Sequence, residues 1–172
     1  MQEKAVLLAE DDASHEEFFR RAVTKSGVPC RLDVVRDGVE TIDYLFCIGQ
    51  YKDRDAEGMP DLIFLDLRMP KMDGLQVLQV LRRVRGDGRP QFPPVVVLTS
   101  SDSDRDITEA YQQGAQSYIC KPLEIDKFNR AVRDALEYWL GLNQPIPKEQ
   151  LAAQQLRDKL QVRDPQPVAI NA

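Results

Sequence analysis

Charged residues of two kinds stand where apolar runs end, and together they could carry out phosphate chemistry. Val6-Leu7-Leu8-Ala9 leads into the acidic cluster Glu10-Asp11-Asp12, and Leu62-Ile63-Phe64-Leu65 leads into Asp66. Ser117-Tyr118-Ile119-Cys120 leads into Lys121-Pro122, and a fourth run, Val95-Val96-Val97-Leu98, ends in Thr99. Clustered carboxylates repel one another and stay ionised together only beside a cation. Oxygen donors without a Cys or His cluster suit a hard ion such as Mg²⁺, with Mn²⁺ the alternative. Asp66, on a run of its own, is the natural nucleophile, because an aspartate can attack a phosphoryl group in line and form an acyl phosphate. The metal, the Lys121 ammonium and the Thr99 hydroxyl would neutralise the equatorial oxygens during transfer.

These residues can meet only if the apolar runs are neighbouring strands. Short apolar runs bounded by polar residues read as buried strands of a parallel sheet. In open α/β sheets the working site lies at the strands' carboxyl ends. Lys4–Ala9 reads as the first strand. A helix follows from about Ser14 to Ser26, with Ser14 and Glu17 at capping-box spacing and Gly27 as its stop. Arg31–Val35 reads as the second strand. Asp37 and Glu40 repeat the capping box and open a second helix, with Val39, Ile42, Leu45 and Phe46 on one face. The connection from Cys47 to Pro60 is polar and long for a βα unit.

After the third strand, Leu75, Leu78 and Leu81 form a helical stripe that stops near Gly86-Asp87-Gly88-Arg89-Pro90. The fourth strand ends at Thr99, and a fourth helix spans roughly Asp104 to Gln113 and stops at Gly114. Leu123 to Trp139 then carries Phe128, Val132, Leu136 and Trp139 at helical spacing. The pattern predicts an α/β fold, a doubly wound five-stranded parallel sheet flanked by five helices. It forms one domain over residues 1–140. Residues 141–172 read as a linker and C-terminal tail, with a weakly amphipathic helix over 148–163.

The bulk properties agree with a single globular domain. The chain has 172 residues, 42% hydrophobic and 30% charged, with a net charge of −5. That acidic balance argues against a nucleic-acid partner. No apolar stretch approaches the ~20 residues of a membrane span, and the amino terminus enters a strand without a signal peptide. Cys30, Cys47 and Cys120 fit neither a disulfide framework nor a zinc site, and read as free thiols of a cytoplasmic protein.

The chain resembles a two-component response-regulator receiver domain over about residues 4–140. The matching stretches are Val6 to Asp12, Asp61-Leu62-Ile63-Phe64-Leu65-Asp66-Leu67-Arg68-Met69-Pro70-Lys71-Met72-Asp73-Gly74, Val97 to Ser100 and Gly114 to Pro122. The resemblance implies a flavodoxin-like receiver fold with strand order 2-1-3-4-5. It makes Asp66 the phospho-acceptor and Asp11 a direct Mg²⁺ ligand together with Asp66. Glu10 would act through water and Arg68 through its backbone carbonyl. Thr99 and Lys121 would contact the phosphoryl group, Tyr118 would be the aromatic switch, and the Lys121–Pro122 bond would be cis.

More locally, the chain is similar to small stand-alone regulators paired with phytochrome-type histidine kinases. The long connection before the third strand, the approach Arg89-Pro90-Gln91-Phe92-Pro93-Pro94, and Tyr138-Trp139-Leu140 before a Pro-containing tail carry that likeness. The family implies a histidine-kinase partner, no DNA-binding output domain, and a phospho-accepting signalling protein rather than an enzyme with its own substrate. It also implies a homodimer through the fourth helix, fifth strand and fifth helix.

Several residues read more plainly. His15 reads as a surface residue on the kinase-docking face, and Asp12 as a helix cap rather than a metal ligand. Phe18 and Phe19 cannot both face the core. Arg68, two residues after the acceptor, is long enough to cover a phosphoryl group, whereas Ser101 is not. An aspartyl phosphatase would place its acid–base residue at position 68, where a guanidinium cannot act. A flavodoxin-like cofactor carrier needs a phosphate loop where Glu10-Asp11-Asp12 would repel one. A receiver that had lost phosphorylation would not keep Asp66, Asp11, Thr99 and Lys121 together.

Overall fold

The computed structural model describes residues 3–54, 58–85, 92–145 and 147. Each of the apolar runs is a strand: β1 (Lys4–Ala9), β2 (Cys30–Val35), β3 (Leu62–Leu65), β4 (Val95–Thr99) and β5 (Ser117–Cys120). All pair in parallel, in the order β2-β1-β3-β4-β5. The helices α1 (Ala13–Ser26), α2 (Gly38–Phe46), α3 (Gly74–Arg85), α4 (Asp104–Gln112) and α5 (Ile125–Leu136) connect and follow them.

Side chains of a strand alternate between faces, and both faces of this sheet are covered. Leu7, Ala9, Ile63, Leu65, Val95 and Val97 pack with Ile42, Leu45 and Phe46 of α2 and Val77, Leu78 and Leu81 of α3. Val6, Leu8, Leu62, Phe64, Val96 and Leu98 pack on the other side with Phe19 and Ala22 of α1 and Phe128, Val132 and Leu136 of α5. Two-sided burial explains why the strands read as unbroken apolar runs. Phe19 is buried, its ring edge-on to Phe64 at 4.9 Å, whereas Phe18 is exposed.

The register sets the site. Ala9 pairs with Leu65, so Glu10 and Asp66 leave adjacent strands at the same level. Thr99 pairs with Cys120, which puts Lys121 one residue beyond the same edge. The start of α3 closes on this edge at Gly74, whose amide donates to the Leu67 carbonyl at 3.1 Å. A Cβ there would run into the Asp66 carbonyl, so only glycine permits the approach.

Helix ends follow side-chain capping, with one correction. The cap of α1 is Asp12, whose Oδ1 accepts from the amides of Ser14 (2.8 Å) and His15 (3.0 Å), and not a Ser14–Glu17 box. Asp12 has an extended backbone straight after β1, so the helix begins one residue before Ser14 and Glu17 is free to pair with Arg21. Asp37 caps α2 as expected, accepting from the Glu40 amide at 2.7 Å, while the Glu40 carboxylate accepts from the Arg36 amide at 2.6 Å. The long connection after α2 contains a 3₁₀ turn, Gly49–Tyr51, and the Arg54 guanidinium lies over the Tyr44 ring at 4.0 Å.

The Lys121–Pro122 bond is trans and not cis. Trans is the isomer an X–Pro amide prefers by ~0.5–1 kcal/mol, and from it Lys121 still reaches the edge of the sheet. Past α5 a π-helical turn, Glu137–Leu142, carries Tyr138 and Trp139 edge to face. The expected stop of α3 over 86–90 and the tail helix over 148–163 lie outside the described residues.

Candidate functional site

Three strand ends deliver three charged side chains to one point. Lys121 Nζ donates to Glu10 Oε2 at 2.7 Å and to Asp66 Oδ2 at 2.8 Å. All three side chains are nearly buried, at 8%, 3% and 6% exposure respectively. The other oxygen of Asp66 accepts from the Arg68 amide at 3.2 Å.

Two carboxylates thus share one ammonium, leaving the buried trio with one negative charge in excess. Burial pushes the Glu10 carboxyl above its ordinary value, more strongly than the bond and charge of Lys121 pull it down. For Lys121 burial alone would lower the pKa, but the hydrogen bonds and charges of Asp66 and Glu10 together outweigh it and hold the ammonium above its usual range. Burial thus raises proton affinity at Glu10 and the two carboxylates raise it at Lys121, while the trio stays one positive charge short. A hard divalent cation meets that shortage with oxygen donors, so the residues present fit one.

A second network runs outward along the edge. The Arg68 guanidinium turns away from Asp66 and donates to Asp106 Oδ2 of α4 at 2.8 Å. Ser101 Oγ donates to the same oxygen at 2.6 Å. The Ser101 carbonyl accepts from the Tyr118 hydroxyl at 2.9 Å, and its amide donates to Thr99 Oγ1 at 3.4 Å. Thr99 itself is fully buried at the end of β4. A continuous chain of polar contacts therefore joins the loop after β3 to α4 and β5.

The chain matches the response regulator receiver domain family over residues 6–133. It is a response-regulator receiver. Receiver domains are signalling proteins of two-component systems and bind a divalent metal. Among relatives, the receiver is 38% identical over 138 residues to the "Probable methanogenesis regulatory protein FilR2" of Methanothrix harundinacea, covering 80% of this chain and 84% of that one. The phosphorylated cyanobacterial phytochrome response regulator RcpA superposes with a TM-score of 0.74 at 32% identity, covering 85% of this chain and 100% of that one. The Mn²⁺-bound form of Rcp1, a regulator from Synechocystis, does so at 0.72 and 27% identity, covering 84% and 99%. The receiver also matches DNA-binding transcriptional regulators of the NtrC type, spanning 27–28% of their length.

The structure brings together Glu10, Asp66 and Lys121, and joins Thr99 and Tyr118 to each other and to Asp106 through Ser101. It does not bring in Asp11, whose side chain is exposed and outside the cluster of potential ligands. That cluster contains instead His15, with ligand atoms of Glu10, His15 and Asp66 all within 4.8 Å of one another. His15 Nδ1 lies 3.2 Å from Lys121 Nζ and 3.4 Å from Glu10 Oε1. The signal was available in the sequence. His15 stands in the first turn of the helix that follows the acidic cluster, close in sequence to Glu10. Asp106 carried no such signal, because its partners lie 38 and five residues away.

Proposed function

We propose that this receiver takes a phosphoryl group from the phosphohistidine of a histidine kinase onto Asp66 and signals through α4, β5 and α5. The observation that carries this reading is the contact of Lys121 with Asp66 beside a second buried carboxylate, Glu10, at the carboxyl edge of the sheet. An oxygen of Asp66 forms the new O–P bond while the P–N bond of the kinase phosphohistidine breaks and its electron pair returns to the imidazole. The Arg68 amide and the Lys121 ammonium orient the attacking carboxylate. As charge moves onto the phosphoryl oxygens, Lys121 follows it, and Thr99 supplies a hydroxyl from the next strand. Asp66, Asp11 and the Arg68 carbonyl, with Glu10 acting through water, would hold a Mg²⁺ or Mn²⁺, which would supply neutralising charge to the transferring group.

The new dianion lies within reach of the Arg68 side chain and competes for it with Asp106. Drawing Arg68 and Thr99 toward Asp66 loosens the hold of Asp106 on Ser101, and with it the Tyr118 hydroxyl. Residues 1–140 act as the receiver and 141–172 as linker and tail. The likeness to RcpA, a phytochrome response regulator, supports a phytochrome-type kinase as donor. Tyr111 of α4 and Tyr138 beyond α5 are half exposed, which supports self-association through this surface. Incubation with a phytochrome-type histidine kinase and radiolabelled ATP should transfer label to the wild type and not to Asp66→Asn. Undiminished, hydroxylamine-labile label on Asp66→Asn would refute the acceptor assignment.

A further inference from the structure

His15 lies against the charged trio, and its geometry says which way its lone pair points. Its Nδ1 is 3.2 Å from an ammonium that can only donate and 3.4 Å from a carboxylate oxygen that can only accept. One nitrogen cannot serve both partners. The shorter contact assigns the Nδ1 lone pair to the Lys121 ammonium, with the ring proton on Nε2. Glu10, Asp66 and His15 thus present two oxygens and a nitrogen to the same cationic group.

We propose that His15 is a nitrogen donor to a divalent cation that takes the place of the Lys121 ammonium between Glu10 and Asp66, and that it biases this receiver toward first-row transition ions over Mg²⁺. The assignment rests on reading the cluster as the cation site of a phospho-acceptor. Ligand atoms on one ion at ~2.1 Å stand at most ~4.2 Å apart, and those of these three residues lie within 4.8 Å of one another. An imidazole nitrogen gains most with ions such as Co²⁺ and gains with Mn²⁺, whereas Mg²⁺ keeps to oxygen. The helix holds the ring in place. The Asp12 cap fixes the His15 amide at 3.0 Å, which sets the first turn of α1 over the end of β1. Asp11 is exposed and lies outside this cluster, in which His15 stands with Glu10 and Asp66.

The test reads the ion directly in the full chain. Electron spin-echo modulation of the Mn²⁺-loaded wild type should show coupling to an imidazole nitrogen, and His15→Ala should lose it. In competition titrations against Mn²⁺, His15→Ala should weaken Co²⁺ about tenfold and leave Mg²⁺ nearly unchanged. The spectroscopic reading on the wild type needs no variant, and the melting temperature of metal-free His15→Ala controls for folding. Mn²⁺ bound without nitrogen coupling, or equal losses for Co²⁺ and Mg²⁺, would overturn the role of His15 and leave the cation site standing. A wild type that takes up none of the three ions would overturn both.

Discussion

Replacing Lys121 by Met should convert a self-neutralising site into one that depends on metal. The ammonium is the only cation within hydrogen-bond reach of both Glu10 and Asp66 among the described residues, at 2.7 and 2.8 Å. Removing one partner from a buried ionic cluster costs ~3–5 kcal/mol. His15 lies beside the trio and water can enter the gap, so the lower end, ~3 kcal/mol, is expected in metal-free buffer at neutral pH. The loss should shrink on acidification, and the sign follows from Glu10. Its folded pKa is raised, so its contribution favours the fold below the unfolded value and is lost as pH rises through the folded one. Without Lys121 that window extends further upward.

A divalent ion should then rescue the variant. An ion at a hundredfold excess over its dissociation constant stabilises the fold by ~2.7 kcal/mol. The wild type should gain less, because its ammonium already faces the same oxygens. Urea denaturation followed by circular dichroism, with EDTA and with Mn²⁺, measures both effects. A variant as stable as wild type in EDTA, or one that gains no more than wild type from Mn²⁺, would refute the account of the shared ammonium.

Asp106→Asn keeps an acceptor for Ser101 but drops the charge that holds Arg68, whose side chain is 69% exposed, so stability should fall by less than ~1 kcal/mol. The freed guanidinium can then cover the phosphoryl group, and decay of the phosphorylated protein should slow, a ~1.4 kcal/mol higher barrier being tenfold; Arg68→Ala should hasten it, and an unchanged lifetime in both would exclude a shielding role. Excess EDTA should abolish labelling by acetyl phosphate, and efficient labelling without free metal would contradict the cation requirement. Burial and the hydrogen bond to Asp33 push the Tyr44 phenol up to about 12. Its ultraviolet titration should therefore lag the exposed tyrosines and vanish in Tyr44→Phe, and its contribution to stability should be lost as pH rises from 10 through about 12.

The alternation of strands and helices was legible without coordinates because each element carries a local periodicity. The positions of Glu10, Asp66, Thr99 and Lys121 were legible for the same reason, since each marks the point where an apolar run stops. Even the caps are local events: Asp37 and Asp12 were both readable as caps, and only the Ser14–Glu17 box was misplaced, because the helix begins before Ser14. The strand order was a different matter. Spacing alone does not say which strands are neighbours, and the expected order came from likeness to a family.

The tertiary structure decided what those marked residues touch. Lys121 meets Glu10 across 111 residues and Asp66 across 55, and those contacts exist only because β1 and β3 pair in one register and β4 and β5 in another. Side-chain direction is equally non-local. Arg68 turns from the acceptor to the carboxylate of Asp106, Asp11 is exposed, and His15 lies against Lys121, none of which follows from sequence position.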